Sequence, residues 1–278
     1  MADSNFPGGT PIVDPLDDNT EVDLDNFLNF KTSNAEAQQA KVAGLEMPKA
    51  DRLVVVGFGI DDSSSMRGSE DAVRNGIRAA VDAFKGAKGS DFYLILRGFT
   101  RIYFQGFISK LTSSIINSYS ADCGNTPLIT LSINLMQQAR EVADQYRNAG
   151  ISTSVAALII TDGEPNGETC TPGNFAKYIQ PTDYIVGMGV RQSESDASAE
   201  IYQDLFKKMG IKTPVMTPTS NPATIRHAIN QFSQSVASIA TGGVSGAMAP
   251  KAKTIGTQAS DSSAVEETLP KKKIGRLF

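Results

Sequence analysis

LVVVGFGIDDSSSM, residues 53–66, is an apolar run that passes without a break into two acids and three serines. A run this short has the length of a strand. Apolar side chains at nearly every position, rather than every second one, mark a strand covered on both faces. Polar residues directly behind such a strand sit at its carboxyl end. Downstream, Val73, Ile77, Val81 and Phe84 recur at helical spacing. Phe92–Leu96 (FYLIL) is the next strand, and Ile102–Phe107 (IYFQGF) can follow it as a hairpin partner. Leu128, Leu131, Leu135, Ala139, Val142 and Tyr146 line one face of a long helix, and Val155–Ile160 (VAALII) and Tyr184–Val190 (YIVGMGV) are two more buried strands. Ile201, Leu205 and Met209 mark a helix closed by Gly210, and Val215 and Met216 a short strand. Asn221-Pro222 caps a last helix on Ile225, Ile229, Phe232, Val236 and Ile239.

Continuous apolar strands separated by helices predict an α/β fold: a doubly wound, mostly parallel sheet with helices on both faces. Ligands of such sheets bind beyond the carboxyl ends of central strands, at a switch point. The loops after Ile60 and Ile160 are therefore the places to look. The first holds Asp61, Ser63 and Ser65; the second reads Thr161-Asp162-Gly163-Glu164-Pro165. Between them, Gly124-Asn125-Thr126-Pro127-Leu128 puts a hydroxyl just before the start of the long helix. Two carboxylates in one cleft repel unless a cation sits between them. Two carboxylates with three hydroxyls make an all-oxygen set, which suits Mg²⁺ or Mn²⁺ better than Zn²⁺. Gly57 and Gly59 inside the first strand predict either a close backbone approach or a bulge.

Asp61-x-Ser63-x-Ser65-Met66, Thr126-Pro127-Leu128 and Asp162-Gly163 resemble, in order, the metal-ion-dependent adhesion site of von Willebrand factor A (VWA) domains. The resemblance spans about residues 51–240 and implies a Rossmann-like fold. It implies that Ser63 and Ser65 bind the metal through their hydroxyls, and that Asp61, Thr126 and Asp162 bind directly or through water. It also implies that an acidic residue of a protein partner completes the coordination, and that the output is binding and not catalysis. The stretch Phe232-Ser233-Gln234-Ser235-Val236 is similar to the end of VWA proteins from bacterial tellurite-resistance and stress-response clusters. Two other metal-binding openings fit less well. A receiver domain needs an aspartate after its third strand, and Phe92–Ala121 contains none. A haloacid-dehalogenase-type phosphatase needs an aspartate where Ser63 stands.

The composition bounds the rest. The net charge of −4 argues against a general nucleic-acid binder. A single histidine, His227, removes multi-histidine metal sites and reads as structural; Cys123 and Cys170 cannot build a zinc site. Both cysteines fall near the metal-bearing loops, as two free thiols or, alternatively, as a redox-sensitive clip. The start, MADSNFPGGTPIVDPLDD, lacks the basic and apolar regions of a signal peptide, and apolar stretches of about six residues fall short of the roughly 20 of a membrane span. A cytoplasmic protein is expected. Residues 1–50 are acidic, with Leu24, Phe27 and Leu28 at helical spacing, and residues 241–278 form a basic, small-residue tail ending in Lys271-Lys272-Lys273, Arg276 and Leu277-Phe278. Residues 51–240 form the domain between these extensions. The expectation is a metal-dependent protein-interaction module, bacterial or phage-encoded, serving as scaffold or adaptor. The alternative is a structural subunit of a large assembly such as a virion or injection particle. A hydrolase lacks a general base or nucleophile beside the site.

Overall fold

The computed structural model describes residues 45–190, 198–217 and 221–241. The segment around Leu24, Phe27 and Leu28 and the end from Lys271 to Phe278 lie outside the described residues. The chain divides into two compact units, Met1–Met47 and Pro48–Phe278, and every helix and strand described lies in the second. Strand β1 (Arg52–Ile60) is followed by α1 (Glu70–Gly86), β2 (Asp91–Arg97), β3 (Ile102–Phe107), α2 (Ser113–Asn117) and α3 (Leu128–Asn148). Then come β4 (Ser152–Thr161), α4 (Pro172–Ala176), β5 (Tyr184–Val190), α5 (Ser198–Lys208), β6 (Thr213–Thr217) and α6 (Pro222–Ala240). Among the described residues no helix is long and apolar enough to cross a membrane.

The strands form one sheet in the order β3-β2-β1-β4-β5-β6. All neighbours are parallel except β2 and β3, the expected hairpin. Strand β1 pairs with β2 on one side and β4 on the other. The chain winds outward in both directions from that pair, so the switch point lies where the loops after β1 and β4 emerge. The sheet is covered on both faces because alternate β1 side chains serve two cores. Val54, Val56, Phe58 and Ile60 pack with α1 and α6, and Leu53 and Val55 with α3 and α5.

Glycines decide how closely the second layer approaches. The β1 register runs unbroken past Gly57 and Gly59, so they mark no bulge. A Cβ on Gly57 would stand 3.0 Å from the Leu135 side chain and one on Gly59 3.1 Å. Their bare backbone lets α3 lie close over β1. The same device sets which side of the expected Ile201–Met209 helix is buried. Ile201, whose spacing helps mark that helix, is 46% exposed, and Leu205 is half-buried. The buried stripe of α5 runs one residue later, through Tyr202 and Phe206 to Met209 just beyond the helix. A Cβ on Gly187 would fall 2.5 Å from the Phe206 ring, so that missing side chain in β5 is the room the ring occupies.

Candidate metal centre

The ladder between β1 and β4 runs one bond past the strand, with Asp61 N donating to Ile160 O at 2.9 Å. That bond carries the two acidic loops out side by side. The Asp61 carboxylate accepts from Ser63 N at 2.8 Å and from the Thr161 hydroxyl at 2.7 Å. The Ser63 and Ser65 hydroxyls are 2.8 Å apart, and Ser65 Oγ donates to Asp162 Oδ1 at 2.7 Å. A short 3₁₀ turn, Ser64–Met66, makes this possible: it buries Met66 and turns Ser65 outward. Asp61, Ser63 and Asp162 are buried and Ser65 is exposed, so the set opens to solvent at Ser65.

Thr126 arrives from a third loop. Its N–H donates to Asn166 Oδ1 at 3.0 Å, and its carbonyl accepts from Asn166 N at 3.1 Å and Leu128 N at 2.8 Å. Its hydroxyl makes no hydrogen bond to the other four residues. It borders the same small space, since a Cβ on Gly163 would lie 3.4 Å from Thr126 Oγ1 and 3.7 Å from Ser65 Oγ. The N-terminus of α3 sits directly behind. Pro127 occupies its cap position and offers no side-chain acceptor. Glu168 takes that task from the β4–α4 loop, accepting from Ile129 N and, at 3.1 and 2.8 Å, from the amide and hydroxyl of Thr130.

Two tyrosines, one from each face of the sheet, hold the loop backbones. Tyr119 donates to Asp61 O at 2.7 Å and Tyr202 to Asp162 O at 2.6 Å. Burial raises the Tyr119 hydroxyl far above its ordinary range, with the charge of Asp61 adding to it, so it stays a donor. Burial also raises the Asp61 carboxyl, against the lowering pull of its bonds from Ser63 and Thr161. Asp61 has no ion-pair partner among the described residues. It is a buried carboxylate whose charge a cation can balance.

Among the described residues no group of three or more His, Cys, Asp or Glu could hold a metal ion. The set at this rim is of another kind, two carboxylates interleaved with neutral hydroxyls. Its all-oxygen donors fit a hard divalent cation. The structure brings Asp61, Ser63, Ser65 and Asp162 into one hydrogen-bonded chain and Thr126 to its border. Spacing alone missed Asp62, Tyr119, Asn166, Glu168 and Tyr202. Only the run Asp61-Asp62 carried a visible signal. His227 is exposed on α6. Cys123 and Cys170 are both free and half-buried. The Cys123 backbone pairs with Asp62 O and Ser64 N, at 2.8 and 2.9 Å. The Cys170 thiol is pushed up by burial.

No protein-family model matches the sequence, and no curated protein matches it. Solved structures do. The pilus adhesin SpaC of Lactobacillus rhamnosus GG, in its open conformation, superposes with a TM-score of 0.51 at 12% identity, over 68% of this chain and 30% of its own. A von Willebrand factor type A protein of Catenulispora acidiphila gives 0.49 at 17% identity, over 69% and 43%. Proximal thread matrix protein 1 of the mussel byssus, with a zinc-occupied MIDAS motif, gives 0.48 at 14%, over 67% and 46%. The matched region is under half the length of each of these chains. At 12% identity the likeness to SpaC is one of fold alone, and the fold that the sequence resemblance implies is that of VWA domains.

Proposed function

We propose that this chain is a divalent-metal-dependent protein-interaction module. Asp61, Ser63, Ser65, Thr126 and Asp162 hold Mg²⁺ or Mn²⁺, and a partner protein contributes an acidic side chain. The observation that carries the reading is the bond from Ser65 Oγ to Asp162 Oδ1, with Ser63 Oγ beside it. It joins the loops after β1 and β4 through oxygen atoms alone, at the switch point of the sheet. A bound divalent cation supplies the positive potential that attracts an outside carboxylate. The protein's residues supply the rest. Asp61 and Asp162 provide charge from two strand ends, the two serines provide neutral oxygens between them, and the exposed side at Ser65 admits the partner. Without a cation the same two aspartates repel a carboxylate. The role we assign is that of a scaffold or adaptor in a bacterial or phage-encoded, cytoplasmic setting.

The test is capture of partners from lysate of the source cell on immobilised protein, with EDTA, with EDTA followed by excess Mg²⁺ or Mn²⁺, and with Asp61→Ala. Binding should vanish with EDTA, return with either ion, and be absent from the variant. A partner held equally well in EDTA and by Asp61→Ala overturns the reading.

A further inference from the structure

The two adjacent acids at the end of β1 are treated differently by their surroundings. Asp61 faces Thr161 and the metal-bearing rim. Asp62 is turned the other way and is fully buried. Its Oδ1 accepts from Phe99 N at 3.0 Å and its Oδ2 from the Tyr103 hydroxyl at 2.9 Å, and Arg101 Nε stands 3.7 Å from Oδ2. Arg101 lies over the Tyr103 ring, 5.7 Å from its centroid, and also pairs with Asp122. Asp62 therefore has its hydrogen bonds and its countercharge without any metal ion. Its backbone is engaged as well: Cys123 N donates to Asp62 O at 2.8 Å, and Ser64 N to Cys123 O at 2.9 Å. The β2–β3 turn closes on the carboxylate so tightly that a Cβ on Gly98 would lie 2.6 Å from Asp62 Cγ and closer still to Oδ2.

We infer that Asp62 is the positioning residue of this centre. Its carboxylate fastens the Gly98–Arg101 turn, and through its carbonyl the segment ending at Cys123, onto the loop that presents Ser63 and Ser65. The inference rests on the metal reading above. Of two neighbouring carboxylates, one is committed to the scaffold so that the other keeps its charge for the ligand. Groups standing behind metal ligands set affinity by fixing ligand geometry, and losing one typically costs 10–100-fold.

Three variants of the full chain disturb this clamp by different routes. Gly98→Ala pushes the carboxylate aside and leaves every charge in place. Tyr103→Phe removes one donor. Asp62→Ala removes the group, and because it strands buried donors, the other two carry the test if it does not fold. Calorimetry with Mg²⁺ and Mn²⁺ should show dissociation constants raised about 10-fold or more. In metal-free protein, amide hydrogen exchange should show lost protection at Ser64, Phe99 and Cys123, with β4 amides unchanged. Unchanged exchange at those three amides in Gly98→Ala and Tyr103→Phe overturns the inference. So does lost protection with unchanged metal affinity. An unsubstituted protein that binds neither ion overturns the metal reading itself, and the inference falls with it; one that binds, beside variants that bind equally well, removes the inference alone.

Discussion

Asp61 shows at the scale of one residue how a binding group differs from a stabilising one. Its pKa is raised by burial, so its charged form costs the metal-free fold free energy. The sign follows: Asp61's share of stability is full below the unfolded carboxylate range and is lost as pH rises through its raised folded value. Asparagine keeps the acceptor for Ser63 N and can donate to Thr161 Oγ1, which then bonds Gly163 O, already 3.1 Å away. Asp61→Asn should therefore melt higher than the unsubstituted protein at pH 7 in EDTA, lose that advantage toward pH 4, and bind no Mg²⁺. Thermal unfolding at the two pH values and calorimetry check all three. Arg97 is a second buried charge, 6% exposed, with Nε unpartnered and its pKa lowered by burial to about 10. Arg97→Met should stabilise the protein by about 1–3 kcal/mol in urea titration, since a buried unpaired charge is exchanged for an apolar chain.

Among the elements, α3 and α5 depend on groups far away in sequence. Glu168 caps α3 where Pro127 cannot, so Glu168→Ala should cost about 1–2 kcal/mol of unfolding free energy, as loss of a capping acceptor at a helix N-terminus does. Burial alone raises the Glu168 carboxyl, and the three bonds it accepts pull it back. Helix α5 holds two apolar stripes one residue apart, Ile201/Leu205 and Tyr202/Phe206. The second is buried because β5 leaves its glycine backbone open to the rings. Gly187→Ala puts a methyl into the Phe206 ring and should cost about 1–3 kcal/mol, measurable by the same titration. Ile201→Ser, on the exposed stripe, should change stability by no more than about 0.5 kcal/mol.

The whole molecule joins the site to the global fold, because the centre exists only where β1 and β4 lie side by side. Ligand that binds only the folded state stabilises it by mass action. Mg²⁺ at about 100 times its dissociation constant should raise the unfolding free energy by roughly 2.7 kcal/mol, and the rise should be absent in Asp162→Ala. We also propose that the domain between the extensions folds alone. Lys49 N and Ala50 N both donate to the Asp91 carboxylate, and Ser90 Oγ donates to Ala240 O at 2.8 Å. Residues 51–240, extended to 48–241 so that the Lys49 and Ala50 amides keep their bonds to Asp91, should melt in one cooperative transition with metal affinity intact when expressed alone. An insoluble or non-cooperative product would show that an extension belongs to the core.

What the sequence by itself determined is local or periodic. Runs such as LVVVGFGI and VAALII are too short and too uniformly apolar to be anything but strands covered twice. The interleaved helical periods then impose a doubly wound sheet, and the acids after Ile60 and Ile160 must emerge at strand ends. Tertiary structure alone decided matters where two local solutions were equally good. Asp61 and Asp62 are chemically identical neighbours. Side chains alternate across a strand end, so one meets Thr161 and the rim while the other meets Tyr103, Phe99 and Arg101 from a distant hairpin. The stripes of α5 have the same period, and only the open backbone of β5 distinguishes them. Glu168 carries no periodic signal at all, because the helix it caps begins some forty residues earlier and reaches it only once α3 and β4 have packed. Periodicity records which face a residue shows; the partner on that face is set by chain crossings, and those are made by the packed sheet.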